Sequence, residues 1–291
     1  MAAMTRAVDA RAAQPVRPAR RRRAPELRLG PGRTVRTVIW VVLGLFFLIP
    51  LFSMVEFTLR TAKPGVYNVD RWIAVFSGAT TRYDRVYQGL GNSLVLAAVT
   101  VAIVLLVLLP TMVLVELRFP KLRRLLEAVC LLPIMIPAIV MVVGLAPTYA
   151  VVTDVFGSGA WTLAFAYGIT VLPYAYRAIQ SNVAGVDLVT LSEAARSLGA
   201  GWWTVFWRVL VPNLRRGILA ASALSVAVVL GEFTIASLLS RVNLQTSLLL
   251  VSQSDPFVAV IFALLALVFA FVLLVAVDRL VSVRRRRTAK G

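Results

Sequence analysis

The sequence predicts an all-α integral membrane protein with six membrane-spanning helices, and three observations predict it. Apolar residues make up 59% of the 291 and charged residues only 15%, with a mean hydropathy of +0.84, far from the balance of a soluble domain. Runs of about 20 apolar residues, the length that crosses a hydrocarbon core, recur along the chain. Basic residues cluster at the ends of those runs, where they hold segment ends on one side of a bilayer.

The first run is Val38 to Leu59, "VIWVVLGLFFLIPLFSMVEFTL"; at 1.5 Å per residue it spans roughly 33 Å. The second covers about Asn92 to Val115, the third Leu126 to Ala150, the fourth Trp161 to Tyr176, the fifth Ile218 to Leu239 and the sixth Phe257 to Val277. Backbone polar groups in lipid must be satisfied inside the protein, so the runs are helices; strands would need short alternating segments closing into a barrel. Prolines fall inside several: Pro50, Pro110, Pro133, Pro137, Pro147 and Pro173. Each removes an amide donor and can kink its helix, serving packing geometry or a hinge equally well.

With the amino terminus inside, the inner segments hold 25 of the 31 Lys and Arg residues and the outer loops hold 6. That asymmetry places both termini in the cytoplasm. Residues 1–36 are then a basic cytoplasmic tail, 37–280 the membrane domain and 281–291 a second basic tail; both tails are expected to be disordered. The outer loop Arg60 to Gly91 mixes charges, aromatics and glycines, and is long enough for a small ordered element or docking surface. The first run begins too late and is too long for a cleaved secretory signal.

The formal net charge of +18 and the cluster "RPARRRRAPELR" could suit nucleic acid, but the position of the basic residues beside apolar runs speaks for a lipid bilayer instead. With no histidine and one cysteine, Cys130, inside an apolar run, a disulfide framework and the Cys/His zinc patterns are excluded. No cofactor is expected. No G-x-S-x-G, no paired intramembrane aspartates and no G-x4-G-K-[ST] loop are present, so the chain carries no hydrolase signature and cannot bind ATP by the P-loop mode.

The stretch Thr190 to Pro212, "TLSEAARSLGAGWWTVFWRVLVP", lies in the longest inner loop. Thr190 and Glu193 form a T-x-x-E capping box, so a short helix is expected to begin there. It ends at Gly199, where "GAG" permits the positive φ of a tight turn. A second helical piece follows and stops at Pro212, with Trp203, Phe206, Trp207 and Leu210 on one apolar face. The first piece, "LSEAARSL", is too short to be stable alone and needs a surface to hold it.

Glu193, Ala194 and Ala195, three residues, Gly199, nine residues, then Val209 to Pro212 resemble the E-A-A-x3-G-x9-I-x-L-P signature of permease subunits of bacterial binding-protein-dependent ABC importers. Val209 stands where that family usually has Ile, and Val211 where it has Leu. The resemblance extends over most of the chain beyond the amino-terminal tail, including "LLPIMIPAIV", "LPYAYRAI" and "GEFTIASLLS". It implies a type I importer fold in the bacterial inner membrane, with the EAA helix acting as a coupling helix that inserts into a groove of a separate ABC ATPase subunit. Glu193, Ala194, Ala195, Gly199 and Pro212 are then the ATPase-coupling residues. It also implies a second permease subunit, homologous or identical, and an extracytoplasmic solute-binding protein. The fifth-span motif and the proline-rich third span resemble most the spermidine/putrescine-type permeases, which implies a polyamine solute; iron, thiamine, sulfate and phosphonate relatives are the alternatives.

Glu232 is the acidic residue placed near the middle of a span. A charge at a helix centre costs about 2.5 to 3.5 kcal/mol, so it should face the bundle interior or a watery path. It reads equally as a path residue favouring a cationic solute or as a hydrogen-bonded packing residue. Tyr174 and Tyr176 could line the same path or serve as interfacial anchors. A self-contained channel or secondary transporter is the competing class. Such proteins often carry inverted repeats, of which the sequence shows none, and would have no use for a docking loop.

Overall fold

The computed structural model describes residues 32–61, 65–77 and 83–288. Most of the expected amino-terminal tail, residues 1–31, lies outside the described residues, as do residues 289–291. Twelve helices follow in order: α1 Arg33–Leu59, α2 Asp70–Ser77, α3 Asp84–Arg118, α4 Arg123–Leu131, α5 Ala138–Phe156, α6 Ala164–Val183, α7 Leu188–Ser197, α8 Trp202–Thr204, α9 Val211–Gly231, α10 Thr234–Leu238, α11 Leu244–Ser254 and α12 Pro256–Thr288. Among the described residues there is no strand, only an isolated antiparallel bridge between Arg60 and Tyr67.

The chain divides at Pro50, inside α1. In the unit up to Pro50 the described part is helix, dense in Val, Leu and Phe. In the unit from Leu51 onward, α3, α6 and α9 form the core, through Leu96, Val104 and Met112 of α3, Tyr167, Val171 and Ile179 of α6, and Leu214, Ala221 and Val229 of α9. Gly217 lets α9 lie directly on α6: a Cβ there would meet Ile179 Cα at 3.0 Å and the Ala178 carbonyl at 3.1 Å. Small residues at such crossings are how membrane helices gain close packing when lipid offers no hydrophobic drive between them. A second apolar cluster joins α2, the start of α3, α11 and α12 through Val86, Leu244, Val258 and Ile261.

Five helical segments are long and apolar enough to cross a membrane: Thr34–Leu59, Asp84–Arg118, Ala138–Phe156, Trp202–Gly231 and Pro256–Ala276. The expected fourth span corresponds to α6, which has the length, 20 residues, but a more polar composition. Its place explains this. Protein surrounds much of it, with Tyr167, Val171, Ala175 and Ile179 fully buried, and a helix that meets protein on several sides need not be apolar all round.

The expected third span is not one helix. Pro133 and Pro137 stand four apart, and the chain passes from α4 through a 3-10 turn, Leu132–Met135, to an extended Ile136 at ψ 121° before α5 starts. The residue before a proline avoids the helical region, which makes Ile136 the break. Pro50, Pro110, Pro147 and Pro173 stay inside continuous helices. The fifth span is likewise broken, at Glu232, and resumes as α10. The carboxyl-terminal helix continues to Thr288, so residues 281–288 are helical rather than the disordered tail expected of them.

The long loop after α1 is ordered where described, as its composition suggested. Trp72 of α2 donates its indole N–H to Thr58 at 3.0 Å, and Arg71 lies 4.1 Å above the Phe257 ring and 3.9 Å from Asp255. Phe57 stacks on the same ring with centroids 4.7 Å apart.

Candidate functional site

The loop between α6 and α9 is built around α7. Its amino-terminal cap is Asp187: the Thr190 N–H donates to Oδ1 at 3.0 Å and the Thr190 hydroxyl donates to Oδ2 at 2.7 Å. Those two bonds to Thr190 hold the Asp187 carboxyl below its usual range. The expected Thr190–Glu193 capping box is therefore not formed. Thr190 is the third residue of the helix and a donor, not its cap. Aspartate caps at least as well as threonine, and starting the helix at Leu188 buries that side chain to 2% exposure in the core. The Glu193 carboxylate is left exposed and caps nothing, while the Glu193 carbonyl accepts from the Ser197 hydroxyl at 2.9 Å.

The carboxyl end of α7 follows the expectation. Gly199 has φ +83°, its N–H donates to the Arg196 carbonyl at 2.9 Å, and the Ala200 N–H donates to the Ala195 carbonyl at 3.1 Å. This paired closure is the Schellman motif, which needs a left-handed residue at Gly199. No other atom lies within 4 Å of where a Gly199 Cβ would stand, so the requirement for glycine is conformational rather than steric. One face of α7, Leu188, Leu191, Ser192 and Ala195, packs inward. The other presents Glu193, Ala194, Ser197 and Leu198 outward, Leu198 at 89% exposure.

The second helical piece departs from expectation. After α8 the chain winds as a π-helix from Val205 to Leu210 and runs straight on into α9, so Pro212 is in the first turn of α9 rather than at a stop. Pro212 has no amide to donate back into the preceding turn, and the winding widens to π where that bond is missing. The wide i→i+5 winding also breaks the apolar face drawn with a period of 3.6. Phe206 and Leu210 are buried together with Val205, whereas Trp203 is 71% and Trp207 53% exposed.

Glu232 is not in mid-helix but at the break after α9, in extended conformation with ψ 124°. Its Oε1 accepts from the Ile235 N–H at 2.9 Å and so caps α10. The carbonyls freed by the break are taken up by residues from the turn into α11: Gln245 Nε2 donates to the Leu230 carbonyl and Asn243 Nδ2 to that of Glu232, both at 2.8 Å. Asn243 also caps α11 through a box with Thr246 and reaches the Tyr167 hydroxyl at 3.3 Å. Leu244 donates its N–H to Ser93 of α3 at 2.8 Å. Gly89 permits this approach, since a Cβ there would meet the Asn243 carbonyl oxygen at 2.6 Å.

Sequence reading missed Tyr167, Asn243 and Gln245. The signal for Asn243 was its N-x-x-T spacing to Thr246 ahead of an apolar stretch. Tyr174 is 40% exposed in the middle of α6 and makes no hydrogen bond among the described residues; Tyr176 is buried at 2%. Glu193, Ala194, Ala195 and Gly199 are thus brought together on α7, Pro212 is in the helix leaving that loop, and Glu232 is at the far end of α9, roughly 30 Å from Pro212.

The chain spans at most about half of the length of the relatives it matches, from 15% to 56% among those compared. It is 34% identical over 131 residues to the molybdenum transport system permease protein ModB of Escherichia coli, which covers 41% of this chain and 56% of that protein. It is 34% identical over 131 residues to a probable sulfate transport system permease protein, cysT, of Chlorokybus atmophyticus, covering 42% and 45%. It is 40% identical over 78 residues to a chloroplastic sulfate permease 2 of Chlamydomonas reinhardtii, covering 27% and 21%. Residues 111–289, which include α7, the break at Glu232 and all of α9 to α12, match the binding-protein-dependent transport system inner membrane component. With most of the chain inside that match, this protein belongs to the family of binding-protein-dependent transport system inner membrane components.

Proposed function

We propose that this chain is the permease subunit of an ATP-driven importer in the inner membrane, forming half of the path for a tetrahedral oxyanion such as sulfate or molybdate delivered by an external binding protein. The observation that carries the importer reading is α7, a helix fixed at one end by Asp187 and at the other by Gly199, anchored through Leu188 and presenting Glu193, Ala194, Ser197 and Leu198 outward. A rigid knob with a small, partly apolar face suits insertion into a groove of a separate ATPase. ATP binding draws two ATPase subunits together, α7 moves with them through α9, and the path opens to the loaded binding protein; hydrolysis resets it. A second permease, identical or homologous, completes the path.

The solute reading rests on the names of the relatives, which are sulfate and molybdenum permeases. It displaces the polyamine reading. That reading came from the resemblance of the fifth-span motif and the proline-rich third span to spermidine/putrescine-type permeases; Glu232, read separately as a path residue or a packing residue, uses Oε1 to cap α10, while its Oε2 is buried without a partner among the described residues. The test is uptake into proteoliposomes holding the permease, its ATPase and its binding protein, with labelled sulfate, molybdate and spermidine in parallel. ATP-dependent accumulation of sulfate or molybdate is expected. Accumulation of spermidine alone would return the polyamine assignment, and transport of any solute without the ATPase would exclude the importer.

A further inference from the structure

We propose that Arg85 and Arg241 form a subsite for the free oxyanion at the end of the permease opposite α7. The inference rests on the oxyanion reading above and gives it a place in the chain. The two side chains line one cavity of about 290 Å³, with Phe233, Ser237 and Ser240 beside them, and neither an aspartate nor a glutamate is among the lining residues. Arg241 is held in place by neutral acceptors: Nη1 donates to the Ser158 carbonyl at 2.8 Å and Nη2 to the Thr153 hydroxyl at 2.9 Å. Its Nε is buried without a partner. Arg85, in the first turn of α3, forms no ion pair or hydrogen bond among the described residues. The hydroxyls of Ser237 and Ser240 likewise donate to nothing among the described residues. Two arginines, with no acidic residue among the lining residues, therefore border one hollow that also offers hydroxyl donors. A guanidinium fork matches the geometry of a tetrahedral oxyanion, and a charge-assisted bond to it is about twice as strong as a neutral one.

The place in the fold agrees with a translocation role. Ser158 precedes the 3-10 turn Ala160–Leu163 that leads into α6, and α7 follows the other end of α6, roughly 30 Å away. Phe233, the residue after Glu232 in the break of the fifth span, is part of the cavity wall. An anion bound there contacts the one point of the α9–α10 helix that is not continuous.

Arg85 is the discriminating position, because among the described residues it holds no bond whose loss would disturb the fold. Labelled sulfate binding is measured on the permease–ATPase complex in phosphatidylcholine nanodiscs, and again with phosphatidylglycerol added. Saturable binding displaced by molybdate but not by spermidine is expected, weakened about tenfold or more in Arg85→Gln and partly restored in Arg85→Lys, with the complex intact in both. Equal sulfate binding by Arg85→Gln and wild type overturns the subsite. So does phosphatidylglycerol that co-purifies with the cavity and is not displaced by molybdate, since the oxyanion held would then be a lipid phosphate. If the wild type accumulates sulfate in proteoliposomes while Arg85→Gln binds it normally, the subsite fails and the importer reading stands. Accumulation of neither sulfate nor molybdate by the wild type brings down both.

Discussion

Gly199 and Asp187 set the two ends of α7 by different physics. At Gly199 the surroundings are empty and only the +83° φ excludes a side chain. Gly199→Val places a β-branched residue in the left-handed region, costing on the order of 1 to 3 kcal/mol, whereas Gly199→Asn keeps a residue that visits that region readily. Both variants are expected to insert, with Gly199→Val losing most of the solute-stimulated ATP hydrolysis in lipid vesicles and Gly199→Asn keeping most of it. Equal hydrolysis by the two would show that the Schellman closure is not needed for coupling. At Asp187 the effect depends on pH. Its folded-state pKa is lowered, so the cap contributes fully at and above the ordinary carboxylate range and is lost as pH falls through the lowered value. Hydrogen exchange of α7 amides should show wild type better protected than Asp187→Ala at neutral pH, with the margin shrinking as the pH falls below the ordinary carboxylate range. An unchanged margin would mean that Asp187 acts without its charge.

At the scale of elements, the fifth span is an α-helix interrupted where its backbone can be served from elsewhere. Gly231 weakens the helix, Glu232 turns outward from it, and Gln245 and Asn243 take up the freed carbonyls. A buried carbonyl left without such a donor costs about 1 to 3 kcal/mol. Glu232 supplies an acceptor to Ile235, and glutamine offers the same acceptor without the charge. Glu232→Gln is therefore expected to accumulate in the membrane and transport like the wild type, while Glu232→Ala lowers the melting temperature of the complex. Normal accumulation of Glu232→Gln with lost uptake would assign the charge itself a part in transport. The π-helical turn before Pro212 and the extended Ile136 between Pro133 and Pro137 follow the same logic, since each irregularity coincides with a residue that lacks an amide or disfavours the α region.

At the scale of the whole molecule, the distribution of basic residues predicts that α7 and both termini are cytoplasmic. Ser192 is buried at 6%, so the probe on α7 belongs at Ser197, which is exposed. In a Cys130→Ala background, single cysteines at Ser77 and Ser158 should react with an impermeant thiol reagent on intact cells and one at Ser197 should not. Labelling at Ser197 alone reverses the topology. The all-helical class, the placing of most spans, the glycine closure of α7 and the EAA spacing were legible in the sequence, because each depends on local composition or on a few neighbouring residues. Apolar runs long enough to span lipid have no other stable form there, and a left-handed turn favours glycine. What lay beyond the sequence depended on partners distant along the chain. Thr190 lost the cap to Asp187 because burial of Leu188 decides where α7 starts. The fifth span breaks at Glu232 because Gln245 and Asn243 arrive there from the turn into α11. Arg85 and Arg241 are 156 positions apart in the chain, so only the packing of α3 against the turn after α10 brings them to one cavity. Local propensity is written in adjacent residues, whereas satisfaction of buried polar groups and the meeting of unpaired charges are properties of the packed chain.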